Sequence, residues 1–205
     1  MYLSKLILNP RSRQVVKELE HPYQMHRTIM SGFPDWEGDR ARVLFRLDIP
    51  RCASSSFVIV QSAAKPDWSH LESGTYLQEP AQCKSFEPAF VEGQVLAFRL
   101  RANPTVKSKE HRKRIGLYEE HQQIEWLERK GREAGFRVGT LTVIPEGKVR
   151  DTIRRNGSVV EIQFLSTQFE GVLQVLDPDR LRCALAQGIG SAKAFGFGLL
   201  SVAPA

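Results

Sequence analysis

The chain has 205 residues, with 29 Lys and Arg against 23 Asp and Glu and a formal charge of +6, enough length for one large or two small domains and a balance that favours a polyanionic partner. Its cysteines, Cys52, Cys83 and Cys183, are far apart and odd in number, which argues against a zinc site or disulfide framework and for a reducing setting. There is no apolar run of the ~18 residues that span a membrane and no secretory signal pattern, so a cytoplasmic protein without membrane contact is expected.

In chain order, Tyr2 to Leu8 reads as a strand, and Asn9-Pro10 as the cap and first turn of a helix with Val15, Val16 and Leu19 on its apolar face. His21-Pro22 interrupts it and starts a second helix to about Phe33, followed by a loop from Pro34 to Asp39. Val43 to Ile49 alternates, with Val43, Phe45, Leu47 and Ile49 on one face and Arg46 and Asp48 on the other. Phe57 to Ala63 is a strand, Pro66 to Leu71 a short helix and Gln82 to Phe86 a short strand. Val95 to Ala102 alternates again, with Leu96, Phe98 and Leu100 opposite Arg99 and Arg101.

Asn103 to Lys113 is polar and basic, the best linker candidate. After it come a strand at Arg114–Tyr118 and a helix at Glu119–Lys130, with Leu117, His121, Ile124 and Leu127 on one face and Gly131 and Gly135 at its end. Phe136 to Ile144 alternates as a strand, and Val149–Arg155 and Ser158–Leu165 flank Asn156-Gly157, a strong hairpin signal. A strand at Phe169–Leu176, a helix capped by Asp177-Pro178 and a last strand at Phe197–Val202 complete the chain. Each half runs strand, helix, strand, strand, helix, strand. The predicted class is therefore α+β: two tandem ferredoxin-like βαββαβ domains at 1–103 and 114–205, joined by a basic linker at 104–113.

Three stretches can carry chemistry. GIGSAKAFGFG, Gly188 to Gly198, follows a helix and precedes a strand, the reverse of a dinucleotide fingerprint, and it lacks the helix-opening Gly-Lys-Ser/Thr of a P-loop. It is either a tight connection or backbone without Cβ atoms that can lie close to a ligand. In HPYQMHR, Tyr23 and His26 are three apart on a predicted helix, with Arg27 beside them. That face is either plain polar surface or the set that cleavage by an RNA 2′-hydroxyl needs: a group titrating near neutrality, a second proton carrier or donor, and a cation for the phosphate. KVRDTIRR puts Lys148, Arg150, Arg154 and Arg155 on a hairpin that either is solvated or braces phosphates. Arg99 and Arg101 form either a basic platform or edge charges. Glu119 and Glu120 suit a first helical turn; His111 and His121 have no carboxylate grouping, so no metal site is read. Trp36, Trp68 and Trp126 read as packing residues.

MYLSKLILNPRSR, PYQMHR, FRLRANPT at Phe98–Thr105, EWLERKG at Glu125–Gly131, FEGVL at Phe169–Leu173 and GIGSAKAFGFGLLSVAP resemble the CasE family, the repeat-processing endoribonucleases of type I-E CRISPR systems, in order along the whole chain. The resemblance implies two ferredoxin-like domains with a C-terminal glycine-rich loop. It also implies binding to the repeat stem-loop and metal- and cofactor-free cleavage at the 3′ base of the stem. The products carry a 5′-hydroxyl and a cyclic or open 3′-side phosphate, and the protein is retained with other Cascade subunits. It assigns the catalytic positions to His26 and Tyr23, and the arginine-bearing hairpin to Arg154 and Arg155. Arg27, Lys148, Arg150, Gly188, Gly190, Ser191 and Lys193 are then expected along the RNA path. A catalytically silent RNA-binding module of the same fold is the alternative.

Overall fold

In the computed structural model, residues 1–34, 42–50, 55–108, 114–155 and 157–205 are described, Arg154 and Arg155 by backbone alone. Trp36, Cys52, His111, Asn156 and most of the Pro34–Asp39 loop lie outside them. The chain divides into two units: Met1–Glu87 with Arg150–Ile162 and Ala194–Gly196, and Pro88–Val149 with Gln163–Lys193 and Phe197–Ala205.

The first unit contains strands β1 (Tyr2–Ile7), β2 (Leu44–Asp48), β3 (Phe57–Ser62) and β4 (Gln82–Ser85) and helices α1 (Arg13–Glu20), α2 (Pro22–Met30) and α3 (Ser69–Glu72). The sheet runs β2-β3-β1-β4 with antiparallel neighbours. Numbered by their succession in this unit, the strands read 4-1-3-2 from the β4 edge, a ferredoxin-like arrangement. Leu6, Val15, Met25, Ile29, Phe45, Val58 and Val60 fill the space between helices and sheet. α1 begins at Ser12, not at Asn9: the Ser12 hydroxyl accepts from Val15 N–H at 3.5 Å. Asn9 instead turns the chain, its Oδ1 accepting from Arg11 N–H. Arg46 and Asp48 are both buried, contrary to the polar face read from their alternation. They answer each other's charge at 2.9 Å.

The second unit contains strands β5 (Val95–Ala102), β6 (Thr105–Lys107), β7 (Arg114–Gly116), β8 (Phe136–Arg155, its tip excepted), β9 (from Gln163 within Ser158–Val175) and β10 (Leu200–Pro204). Helices α4 (Glu120–Glu133) and α5 (Pro178–Gln187) and a 3₁₀ turn beginning at Lys193 accompany them. The sheet order is β10-β5-β9-β8, again 4-1-3-2 when β5 is counted first. The boundary therefore differs from the predicted 1–103 and 114–205. β5 pairs with β9 and β10, and the first strand of the second unit is β5 rather than Arg114–Tyr118. Thr105–Lys107, assigned to the linker, pairs with Arg114–Gly116 as a two-stranded ribbon.

Two long strands replace four predicted ones, because Pro145 and Gly147, at φ +86, are accommodated inside β8. α4 also runs past Gly131, where a Cβ would lie 2.9 Å from the Phe136 ring, and ends at Glu133, with Ala134 as its cap and Gly135, φ +79, just beyond. Its buried positions are Gln123, Trp126, Leu127 and Gly131, a face rotated from the predicted one. Arg99 pairs with Glu170 at 2.6 Å and Arg101 with Glu146 at 2.5 Å, so these arginines meet carboxylates of their own sheet and form no bare platform.

Candidate active site and nucleic-acid interface

α2 starts where Pro22 supplies the preset φ of a first helical residue. Met25 and Ile29, each 1% exposed, anchor one side of the helix in the core. That turns Tyr23 and His26, one helical turn apart, onto another face, with ring centroids 6.0 Å apart. The pair lies within a longer series of rings. His26 stacks on Phe45 of β2 at 6.1 Å and 15°, and Tyr23 stacks on Phe195 at 5.7 Å and 28°. Phe195 belongs to the short segment Ala194–Gly196 that the glycine-rich stretch contributes to the first unit. Gly196, φ +81, packs on Phe45, where a Cβ would sit 3.2 Å from the ring.

Burial pushes the His26 imidazole below its usual pKa. Its Nδ1 is buried and has no hydrogen-bond partner among the described residues. Arg27 is exposed, and its Nη1 donates to Gln24 Oε1 at 3.4 Å, close to the weak limit for such a bond. At the start of the helix the Tyr23 N–H donates to Asp151 Oδ2 at 2.8 Å. Arg150, next to it, is exposed.

Lys148 and the residues from Gly188 to Lys193 belong to the second unit. Lys148 is exposed, with Nζ 5.5 Å from the centre of the Tyr118 ring. Gly188 closes α5 at φ 72, Gly190 has φ 86 and Ala192 φ 62, so the loop alternates through left-handed backbone. Gly190 lies over Trp126, where a Cβ would approach to 3.1 Å. Ser191 Oγ accepts from Asn103 Nδ2 at 3.5 Å. Gly188, Gly190, Ser191 and Lys193 line a cavity of about 570 Å³, together with Lys107, Arg114, Arg129 and Lys130. Excess positive charge in a concave surface with exposed loop backbone suits a phosphate-bearing ligand.

The structure thus brings Tyr23, His26 and Arg27 onto one helix and Arg150 into the same unit, while the glycine-loop residues and Lys148 group in the other. The Arg154 and Arg155 side chains lie outside the described residues. Sequence reasoning missed Phe45, Asp151 and Phe195. The only signals for the last two were an acid inside a basic run and an aromatic inside a glycine-rich one. Among the described residues there is no cluster of three or more His, Cys, Asp or Glu placed to hold a metal ion, and no helix long and apolar enough to cross a membrane.

Two ferredoxin-like units, one with a histidine–tyrosine face and one with a basic glycine-lined cavity, define a tandem ferredoxin-like protein equipped to handle nucleic acid. The sequence family described as CRISPR associated protein matches residues 1–204, and the chain belongs to that family. The chain is 39% identical to the CRISPR-associated endoribonuclease Cse3 of Thermus thermophilus, with all of both chains covered. It is 32% identical to the CRISPR system Cascade subunit CasE of Escherichia coli K12, again over 100% of each. Among solved structures, CRISPR endoribonuclease Cse3 bound to a 19-nucleotide RNA superimposes with a TM-score of 0.87 at 40% identity, with both chains fully covered.

Proposed function

We propose that this protein is an endoribonuclease that processes CRISPR precursor RNA in the cytoplasm. It binds the repeat stem-loop, cuts at the 3′ base of the stem and stays on the product with other Cascade subunits. The similarity to Cse3, named an endoribonuclease, and to CasE, named a Cascade subunit, supports the reading along the whole chain. The observation that carries the chemistry is the Tyr23–His26 pair, 6.0 Å between ring centres on one half-buried turn of α2.

Lowered by burial, the His26 imidazole is neutral at pH 7 and can accept a proton. It takes the proton of the 2′-hydroxyl next to the scissile phosphate. The freed oxygen attacks phosphorus in line, the bond to the 5′-oxygen breaks, and that oxygen takes a proton from the second carrier, Tyr23, and leaves as a hydroxyl. The product ends are a 5′-hydroxyl and a 2′,3′-cyclic phosphate, which addition of water opens to a 3′-phosphate. Tyr23 positions the 2′-hydroxyl or shares the proton work, and Arg27 holds the phosphate. Lys148, Arg150, Arg154 and Arg155 of the hairpin, with Gly188, Gly190, Ser191 and Lys193, line the RNA path. Both proton carriers belong to the chain, so the scheme calls on no cofactor or metal.

A repeat RNA with one 2′-deoxy sugar immediately 5′ of the cut tests this. It is expected to bind almost as the all-ribose RNA does, since phosphate contacts dominate affinity, and to remain uncut, in EDTA as in buffer. Cutting of the deoxy substrate at the normal rate would make water or a side chain the nucleophile and remove the roles given to His26 and Tyr23. Binding without cleavage of the all-ribose RNA would leave a silent RNA-binding module.

A further inference from the structure

The stretch from Lys148 to Arg155 has one acid among its four cations, Asp151. An acid there works against any polyanion the hairpin meets, yet it is not left in solvent: the Asp151 side chain is 1% exposed. Both of its oxygens are occupied. Oδ2 accepts from the Tyr23 N–H at 2.8 Å, and Oδ1 accepts from the Thr152 N–H at 2.7 Å and lies 3.4 Å from His21 Nδ1.

The first N–H groups of a helix lack partners within it, and a side chain just before the helix usually supplies one. In α2 that position is His21, which makes no such bond, and the next residue, Pro22, has no N–H. Tyr23 therefore carries the first N–H of α2, and its acceptor comes from a residue 128 positions away. The carboxylate also suits the positive end of the helix dipole. One side chain thereby fastens the hairpin to the backbone of the residue whose phenol faces His26.

We infer that Asp151 is a positioning residue for cleavage: it caps α2 from the hairpin and holds Tyr23, and through that turn His26, in register with the neighbouring phosphate-binding Arg150. Asp151 touches neither RNA nor the reacting atoms. Its effect is on how often the Tyr23–His26 face and the bound phosphate are aligned. The inference rests on the proposed endoribonuclease reading.

The test compares wild type, Asp151→Ala and Asp151→Asn for single-turnover cleavage and binding of the repeat stem-loop RNA, with melting temperature as the check on folding. A misplacement of about 1 Å costs up to ~10²-fold in rate, so Asp151→Ala is expected to cut roughly 10–100-fold more slowly. Its affinity is expected to stay equal or rise, because a negative charge leaves a phosphate-binding element. Asp151→Asn keeps an acceptor oxygen for the Tyr23 N–H and is expected to recover most of the rate. If Asp151→Ala melts below the assay temperature, Asp151→Asn is compared with Asp151→Ser, whose hydroxyl is too short to reach: a fast Asn and a slow Ser variant support the role, and equal rates refute it. Asp151→Ala cutting at the wild-type rate, or Asp151→Ala and Asp151→Asn losing affinity and rate together, overturns the inference. Failure of wild type to cut the RNA would instead sink the endoribonuclease reading, so the two failures are told apart in the same experiment.

Discussion

His26 lies between Phe45 and Tyr23, and the same burial that stacks it also disfavours its charged form. A base must be neutral to work, so the rate should rise with pH as the ring loses its proton. Because burial lowers the pKa, the midpoint of that rise is expected to fall below the 6.5 of a free imidazole. Single-turnover cleavage at subsaturating protein, followed from pH 5 to 8, reads this directly; a rate that falls over the same range would make His26 the acid instead. Replacing the ring by His26→Ala is expected to slow cleavage by ~10²–10⁴ while leaving RNA affinity unchanged. Cleavage within a few-fold of wild type would reduce His26 to a packing residue between Phe45 and Tyr23. The i,i+3 spacing of Tyr23 and His26 was legible because it depends only on helical geometry. Phe45, Asp151 and Phe195 were not legible, since each reaches α2 from a distant segment and local patterning holds no record of such contacts.

α2 owes its seat to a buried polar cluster as much as to Met25 and Ile29. Glu18 of α1, 4% exposed, accepts from Tyr76 Oη at 2.6 Å, from Thr28 Oγ1 of α2 at 2.7 Å and from Gln14 Nε2 at 2.8 Å. Burial, and then the Glu18 carboxylate, push the Tyr76 phenol up, keeping it a donor. Glu18→Ala leaves the buried Tyr76 hydroxyl and the half-buried Thr28 hydroxyl without their acceptor, at a cost of about 3 kcal/mol from an unsatisfied group plus a lost charge-assisted bond. Urea unfolding should show that loss, with cleavage weakened further where α2 loosens; a change under about 0.5 kcal/mol, the scale of ordinary surface substitutions, would place the cluster outside the stability of α2. At this scale the sequence was legible wherever periodicity met a clear stop, as in β5 and α5. It misled where charge pairing hid inside the alternation, as at Arg46 and Asp48. It misled again where a glycine that reads as a stop serves close packing, as at Gly131.

The existence of two ferredoxin-like units was legible in the repeated order of elements, but the division between them was not. The alternation of Val95–Ala102 fits either sheet, and the choice is made by pairing with β9 and β10, roughly seventy and a hundred residues on. Charge distributes just as unevenly over the molecule. Of the 29 Lys and Arg, several are already matched internally: Arg46 by Asp48, Arg99 by Glu170, Arg101 by Glu146, and Arg129 and Lys130 by Glu133. The hairpin run is different, since Lys148 and Arg150 are exposed and its one acid is turned inward to α2. Salt dependence of binding counts the cations that meet phosphate, because each contact releases counterions and adds roughly 0.9 to the log–log slope on the duplex scale. The double variant Lys148→Ala, Arg150→Ala is therefore expected to bind the repeat stem-loop more weakly and to lower that slope by about 1.8, at two contacts of 0.9 each. The corresponding change at Arg99 and Arg101, already paired with carboxylates of their own sheet, is expected to leave the slope nearly as it was. Filter binding of the repeat RNA from low to moderate salt gives both slopes. Equal slopes for wild type and the hairpin variant would mean that the hairpin faces solvent in the complex and that RNA is held elsewhere on the protein.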